Sequence, residues 1–167
     1  MAEIVLCCGK VCSGKSTFAK FLADQYGFYH FSADTWMLHF YDETSSRRLF
    51  DQRLQKCISM IHSLTETILS HDSDVVLDFG FWKRSDRIAT RDRYAALGYQ
   101  VNVVSFPVDS ATQIEHMNRR QEMNTERHYS FDKKTVEILN EQFEDPGQDE
   151  GTMTKEEFLQ KTSLPRA

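Results

Sequence analysis

CGKVCSGKST, residues 8–17, follows directly on the short apolar run EIVLC, residues 3–7. Gly9 to Ser16 satisfy the spacing G-x-x-x-x-G-K-[S/T], placed between a predicted strand and a predicted helix. Glycines at the two ends let the backbone turn, so that successive amide N–H groups point inward at an anion. The helix that follows adds the positive end of its dipole. Lys15 supplies a mobile charge for the β- and γ-phosphates, and the Ser16 hydroxyl an oxygen for Mg²⁺. The stretch therefore predicts a nucleotide cradle built from Gly9, Cys12, Ser13, Gly14, Lys15, Ser16 and Thr17.

Strands and helices alternate outward from this loop. Phe18, Phe21, Leu22 and Tyr26 fall at helical spacing before Gly27, and FYHF (28–31) reads as a second strand. A helix is predicted from about Thr35, interrupted over 42–46. A longer one follows from Arg47 to Ser70, with Leu54, Ile58, Ile61, Leu64 and Ile68 as its apolar stripe. DVVLD (74–78) is the third strand, and Ser85 is read as the cap of a helix ending at Leu97. YQVNVVSF (99–106) is the fourth strand. Helices are expected from about Asp109 to Met123, over Lys133–Phe143 and, short, over Lys155–Lys161. This order predicts an α/β fold with a parallel sheet.

The chain has 167 residues, enough for one domain, expected over 1–150 with a polar C-terminal tail over 151–167. Its apolar runs fall far short of the ~20 residues of a membrane span, and no basic-then-apolar leader opens it, so a cytoplasmic protein is expected. Cys7, Cys8, Cys12 and Cys57 form neither a disulfide frame nor a CxxC pair, and the six histidines include no HExxH. The net charge of −5, with basic residues clustered only locally over 83–93 and 119–127, suits a small anionic ligand better than a nucleic-acid polymer. Nothing in the sequence specifies an oligomeric state.

Three further groups carry chemistry. Asp78 ends the apolar strand VVLD, where a carboxylate beside the phosphate loop can hold Mg²⁺, or alternatively cap a helix or anchor a loop. Asp34 ends the second strand; it can accept a proton from an attacking hydroxyl, or serve simply as an N-cap. Arg119, Arg120 and Arg127 can close over a transferring phosphate, or form a solvated helix face.

Taken in order, GKVCSGKST, FSADTW, VVLDFGFWKRSDR, RRQEMNTER and FEDPGQDE resemble the small P-loop kinases. That group includes chloramphenicol phosphotransferase, zeta-type toxins and the kinase domains of polynucleotide kinases. The nearest resemblance is to small AAA-type, kinase-like ATP-binding proteins of bacteria. The resemblance implies a three-layer P-loop NTPase fold, with a parallel sheet of four to five strands, helices on both faces and a small helical lid over about 110–130. It implies ATP and Mg²⁺ as cofactors and Lys15 among the catalytic residues. Asp34 would be the base, Asp78 would stand beside Ser16 at the metal, and Arg120 and Arg127 would be lid arginines. Arg87, Trp36, Phe81 and Trp82 would contact the acceptor. Two departures stand out: Val11 replaces a proline common in relatives, and no fifth strand is expected after Phe143. The implied activity is transfer of the ATP γ-phosphate to a hydroxyl of a small molecule. A nucleotide or polynucleotide 5′-hydroxyl kinase is a second expectation, and a regulatory nucleotide switch without an acceptor a third.

Overall fold

A computed structural model describes residues 2–41, 46–123, 129 and 132–161. Its centre is β1 (Glu3–Cys8), every residue of which is buried. A strand buried on both faces is what EIVLCC should give, because parallel sheets covered by helices on both sides read as unbroken apolar runs. Each fully buried Ile, Val or Leu there stabilises the fold by about 1.5–3 kcal/mol.

Around β1 stand β2 (Tyr29–Ser32), β3 (Val75–Gly80) and β4 (Gln100–Ser105), in the order β2-β3-β1-β4 and all parallel. Seven α-helices are seen among the described residues: α1 (Lys15–Tyr26), α2 (Ala33–Phe40), α3 (Arg47–Ser70), α4 (Arg84–Ala96), α5 (Ser110–Met123), α6 (Lys133–Glu141) and α7 (Lys155–Lys161). One face of the sheet packs Ile4, Leu6, Leu77 and Val103 against Ile61 and Leu69 of α3 and Tyr94 of α4. The other packs Val5, Cys7, Val76 and Val104 against Phe18 and Leu22 of α1 and Phe158 of α7. This is the expected three-layer α/β architecture. None of the described helices is long and apolar enough to cross a membrane.

Four local expectations change. The buried stripe of α3 is Cys57, Ile61, His62, Thr65 and Leu69, whereas Leu64 is exposed. The helix is rotated because polar His62 is accepted inside, its Nδ1 lying 2.6 Å from the Tyr94 hydroxyl. Ser85 does not cap α4; Lys83, two residues earlier, holds the cap position, and the Arg84 N–H is satisfied by the distant Glu144 carboxylate at 2.8 Å. After Phe143 the chain does return to the sheet, for one residue: Met153 bridges Val104 in parallel fashion, exchanging backbone bonds with Ser105 (2.8 Å) and Val103 (3.0 Å). The segment read as a polar tail is anchored through Lys161, with Phe158 fully buried and edge-on to Phe18.

Candidate active site

The phosphate loop leaves β1 at its C-terminal end and is tied there to its neighbour, Gly9 N–H donating to the Gly80 carbonyl at 3.0 Å. A Cβ on Gly9 would stand 2.8 Å from Ser13 Oγ and 3.0 Å from the Phe106 carbonyl, so only glycine fits. Gly14 has φ +98°, a conformation that side chains disfavour, and it starts α1 directly. Together these produce a tight turn opening onto a helix N-terminus, which suits a polyphosphate. Lys15 is buried, its Nζ donating to the Lys10 carbonyl at 2.5 Å with Ser13 Oγ at 3.4 Å. Burial pulls its pKa down, while Asp78 foremost and then Cys7 and Asp34 pull it back up.

Asp78 lies inside β3, buried, two residues before the strand's end. Burial alone would raise its pKa; His30, Lys15 and Ser16 outweigh that and hold the carboxyl below its usual range. His30 Nε2 on β2 stands 3.8 Å from Asp78 Oδ2, an ion-pair separation longer than a hydrogen bond. A residue inside a strand caps no helix, so that alternative reading of Asp78 falls away.

Asp34 sits in the first turn of α2, but it is not the cap. Ser32 is, its Oγ accepting from the Thr35 N–H at 3.3 Å. The Asp34 side chain is open to solvent on one side and crowded by protein on the other. That crowding, with the charge of Asp78, raises its pKa, while Lys15 and Arg120 oppose the rise. The structure thus brings Lys15, Asp34, Asp78 and Ser16 together, with Arg120 of α5 close enough for its charge to act on Asp34. Arg120 and Arg119 are exposed. Arg127 lies outside the described residues.

The expected acceptor contacts fare differently. Arg87 is a correction: it is 1% exposed and bonded to Glu150 through Nε (2.6 Å) and Nη2 (2.9 Å), and to the Phe81 and Trp82 carbonyls through Nη1. Its charge is spent on the strap 143–151, where Asp149 pairs likewise with Arg84 and Glu144 with Lys83. Phe81 is also a correction; it is buried in the core, stacked against Phe79. Trp36 follows Asp34 by two residues, roughly 200° around the helix, and packs edge-on against Phe31 and Phe40. Cys7 and Cys8 are buried, and burial pushes both thiols up, Cys8 to about 11.

Among the described residues no group of three or more His, Cys, Asp or Glu could hold a metal by itself. Mg²⁺ does not need one, since it keeps waters and phosphate oxygens and takes one or two protein oxygens. The ionised Asp78 carboxylate beside the Ser16 hydroxyl is such a pair of hard donors, so the residues fit the ion.

Two residues of the site carried no sequence signal. Gln113 of α5 donates from Nε2 to the Val11 carbonyl at 2.8 Å, and His116 Nδ1 lies 2.9 Å from the Cys12 carbonyl.

No curated protein matches the chain by sequence. Among solved structures, a gluconokinase from Sinorhizobium meliloti 1021 superposes with TM-score 0.61 at 20% identity, over 92% of this chain and 81% of that one. Kti12 from Chaetomium thermophilum, in complex with ADP-AlF3, gives TM-score 0.62 at 18% identity, over 87% and 82%. The Pnkp1/Rnl/Hen1 RNA repair complex gives 0.62 at 19%, over 99% of this chain and 49% of that one. At these identities the likeness is one of fold, and the fold is that of P-loop kinases. Residues 4–146 match the family described as AAA domain, and the chain belongs to that family as a small, kinase-like P-loop protein.

Proposed function

We propose that the protein transfers the γ-phosphate of ATP to a hydroxyl group of a small molecule. The observation that carries this reading is Asp34. It is a second carboxylate at the cradle's mouth, unused as a cap, accessible to solvent and subject to the charges of Asp78, Lys15 and Arg120. A nucleotide switch needs the cradle, Lys15, Ser16 and Asp78, but has no use for such a group.

The amides of residues 9–17 and the Lys15 ammonium hold the polyphosphate. Ser16 and Asp78 would hold Mg²⁺, which would neutralise phosphate charge. Asp34 takes the proton as the acceptor's O–H bond breaks and its oxygen bonds to the γ-phosphorus, with ADP leaving. Arg120, together with Arg127, stabilises charge on the phosphate oxygens during transfer. The raised pKa of Asp34 favours proton capture, because a stronger base takes the proton more readily.

A small acceptor is favoured over a polynucleotide by the fate of the basic residues on α4. Arg84 and Arg87 are paired with Asp149 and Glu150, and Arg91 with Asp92 and the Glu150 carbonyl, so this stretch offers little free charge to a phosphate backbone. The test is incubation with Mg·ATP and a metabolite mixture, followed by a search for ATP-dependent phosphorylated products. A phosphorylated small alcohol supports the proposal. Slow hydrolysis alone favours the switch, and strong, salt-sensitive competition by 5′-hydroxyl oligonucleotides favours a polynucleotide acceptor.

A further inference from the structure

We propose that Gln113 and His116 are positioning residues that preset the phosphate cradle from outside, with Asn140 aligning the Gln113 amide. Gln113 is 2% exposed. Its amide exchanges two hydrogen bonds with Asn140 of α6, at 3.0 and 2.8 Å, which hold its plane, and the acceptor-only Val11 carbonyl selects the Nε2 end for the loop. Nε2 then donates to the Val11 carbonyl at 2.8 Å. His116 Nδ1 meets the next carbonyl, that of Cys12, at 2.9 Å. Because a carbonyl only accepts, Nδ1 carries the hydrogen.

The consequence follows from peptide geometry. In a planar trans peptide the C=O and the following N–H point in opposite directions. Drawing the Val11 and Cys12 carbonyls out to α5 therefore turns the amides of Cys12 and Ser13 the other way, into the cradle. Cys12 has φ +55°, a left-handed conformation that a side chain adopts only where its surroundings dictate it. The two tethers are those surroundings.

Residues 113, 116 and 120 are spaced i, i+3, i+7 and share one face of α5. The face that sets the loop amides thus also presents Arg120, whose charge acts on Asp34. Loop geometry and lid arginine are coupled through one helix.

The inference rests on reading residues 9–17 as a nucleotide cradle, and its test separates the two. Three variants are titrated with Mg·ATP and with inorganic pyrophosphate, and their melting temperatures measured. His116→Phe removes a donor; His116→Asn keeps one near the position of Nδ1. The double variant Gln113→Leu/Asn140→Leu replaces the part-buried amide pair by apolar groups of similar size, which deletes the donor. His116→Phe and the double variant are expected to weaken both ligands about five- to tenfold, the effect of one hydrogen bond each. His116→Asn should bind within about twofold of wild type, at a melting temperature like that of His116→Phe. Wild-type affinity in all variants, or equal losses in His116→Asn and His116→Phe, overturns this proposal alone. A wild-type protein that binds neither ligand overturns the cradle reading and the proposal together.

Discussion

Arg87→Met should cost the fold far more than it costs ligand binding. The replacement removes a guanidinium that is 1% exposed and makes two short bonds to Glu150 and two to main-chain carbonyls. What remains is a carboxylate whose side chain is 3% exposed, with the Gly147 N–H at 2.9 Å and the Arg84 guanidinium at 3.3 Å as partners. Removing one member of a buried pair destabilises by about 3–5 kcal/mol, against about 0–1 for a surface pair. At roughly 2–4 °C per kcal/mol for a chain of this size, melting should fall by roughly 6–20 °C. The double variant Arg87→Met/Glu150→Leu should recover most of that, because no charge is left stranded. Urea unfolding followed by tryptophan fluorescence reads the loss. Acid supplies an independent check. Hydrogen bonds from Arg87 hold Glu150 at about 2, below its ordinary 4.5. The stability this contributes is complete above pH 4.5 and is lost as pH falls toward 2. Glu150→Gln has nothing to titrate, so its deficit against wild type should stay constant from pH 7 to 5 and shrink below that. Wild-type melting in Arg87→Met, combined with impaired nucleotide or acceptor binding, would refute the reasoning and return Arg87 to the ligand.

Further outcomes follow from other parts of the structure. Gly14→Ala meets no atom within 4 Å but must adopt φ +98°, costing about 1–3 kcal/mol or reshaping the loop; Mg·ATP affinity measured by calorimetry should fall at least about tenfold. Phe158→Ala empties a fully buried site between α7 and Phe18 and should destabilise by about 3–5 kcal/mol in urea, whereas a solvated tail residue would cost almost nothing. Burial above all lowers His62 to about 4 from its ordinary 6.5, so the unfolded chain takes up the proton first and stability should decline as pH falls from 6.5 to 4. The double variant His62→Leu/Tyr94→Phe should lack that decline in urea midpoints measured across the range.

Wherever short-range physics decided the outcome, the sequence was legible. Glycine spacing and an apolar run located the cradle, and α1, α3 and α7 end where spacing and stop signals put them. Asp34 and Asp78 were singled out because they stand near the C-terminal ends of β2 and β3, toward the ligand edge of a parallel sheet. The misses share another cause. Arg87 reads as basic and available until Glu150, 63 residues later, closes on it. Ser85 looks like a cap until Glu144 takes that role from 60 residues away. Phe81 announces an aromatic pocket by type alone, while packing turns it into the core. Gln113 and His116 are ordinary polar residues of a helix, and only the arrival of α5 beside residues 11 and 12 gives them partners.

The central claim is that this cradle donates phosphate to an alcohol with Asp34 as base. It is tested most directly by following the label of [γ-³²P]ATP into acceptor and into free phosphate, for wild type, Asp34→Asn and Asp34→Ala. The account predicts label on a small alcohol with the wild type, and transfer reduced by several orders of magnitude in both variants while their Mg·ATP affinity stays near wild type. Label appearing only as free phosphate, or undiminished transfer in both variants, would contradict it.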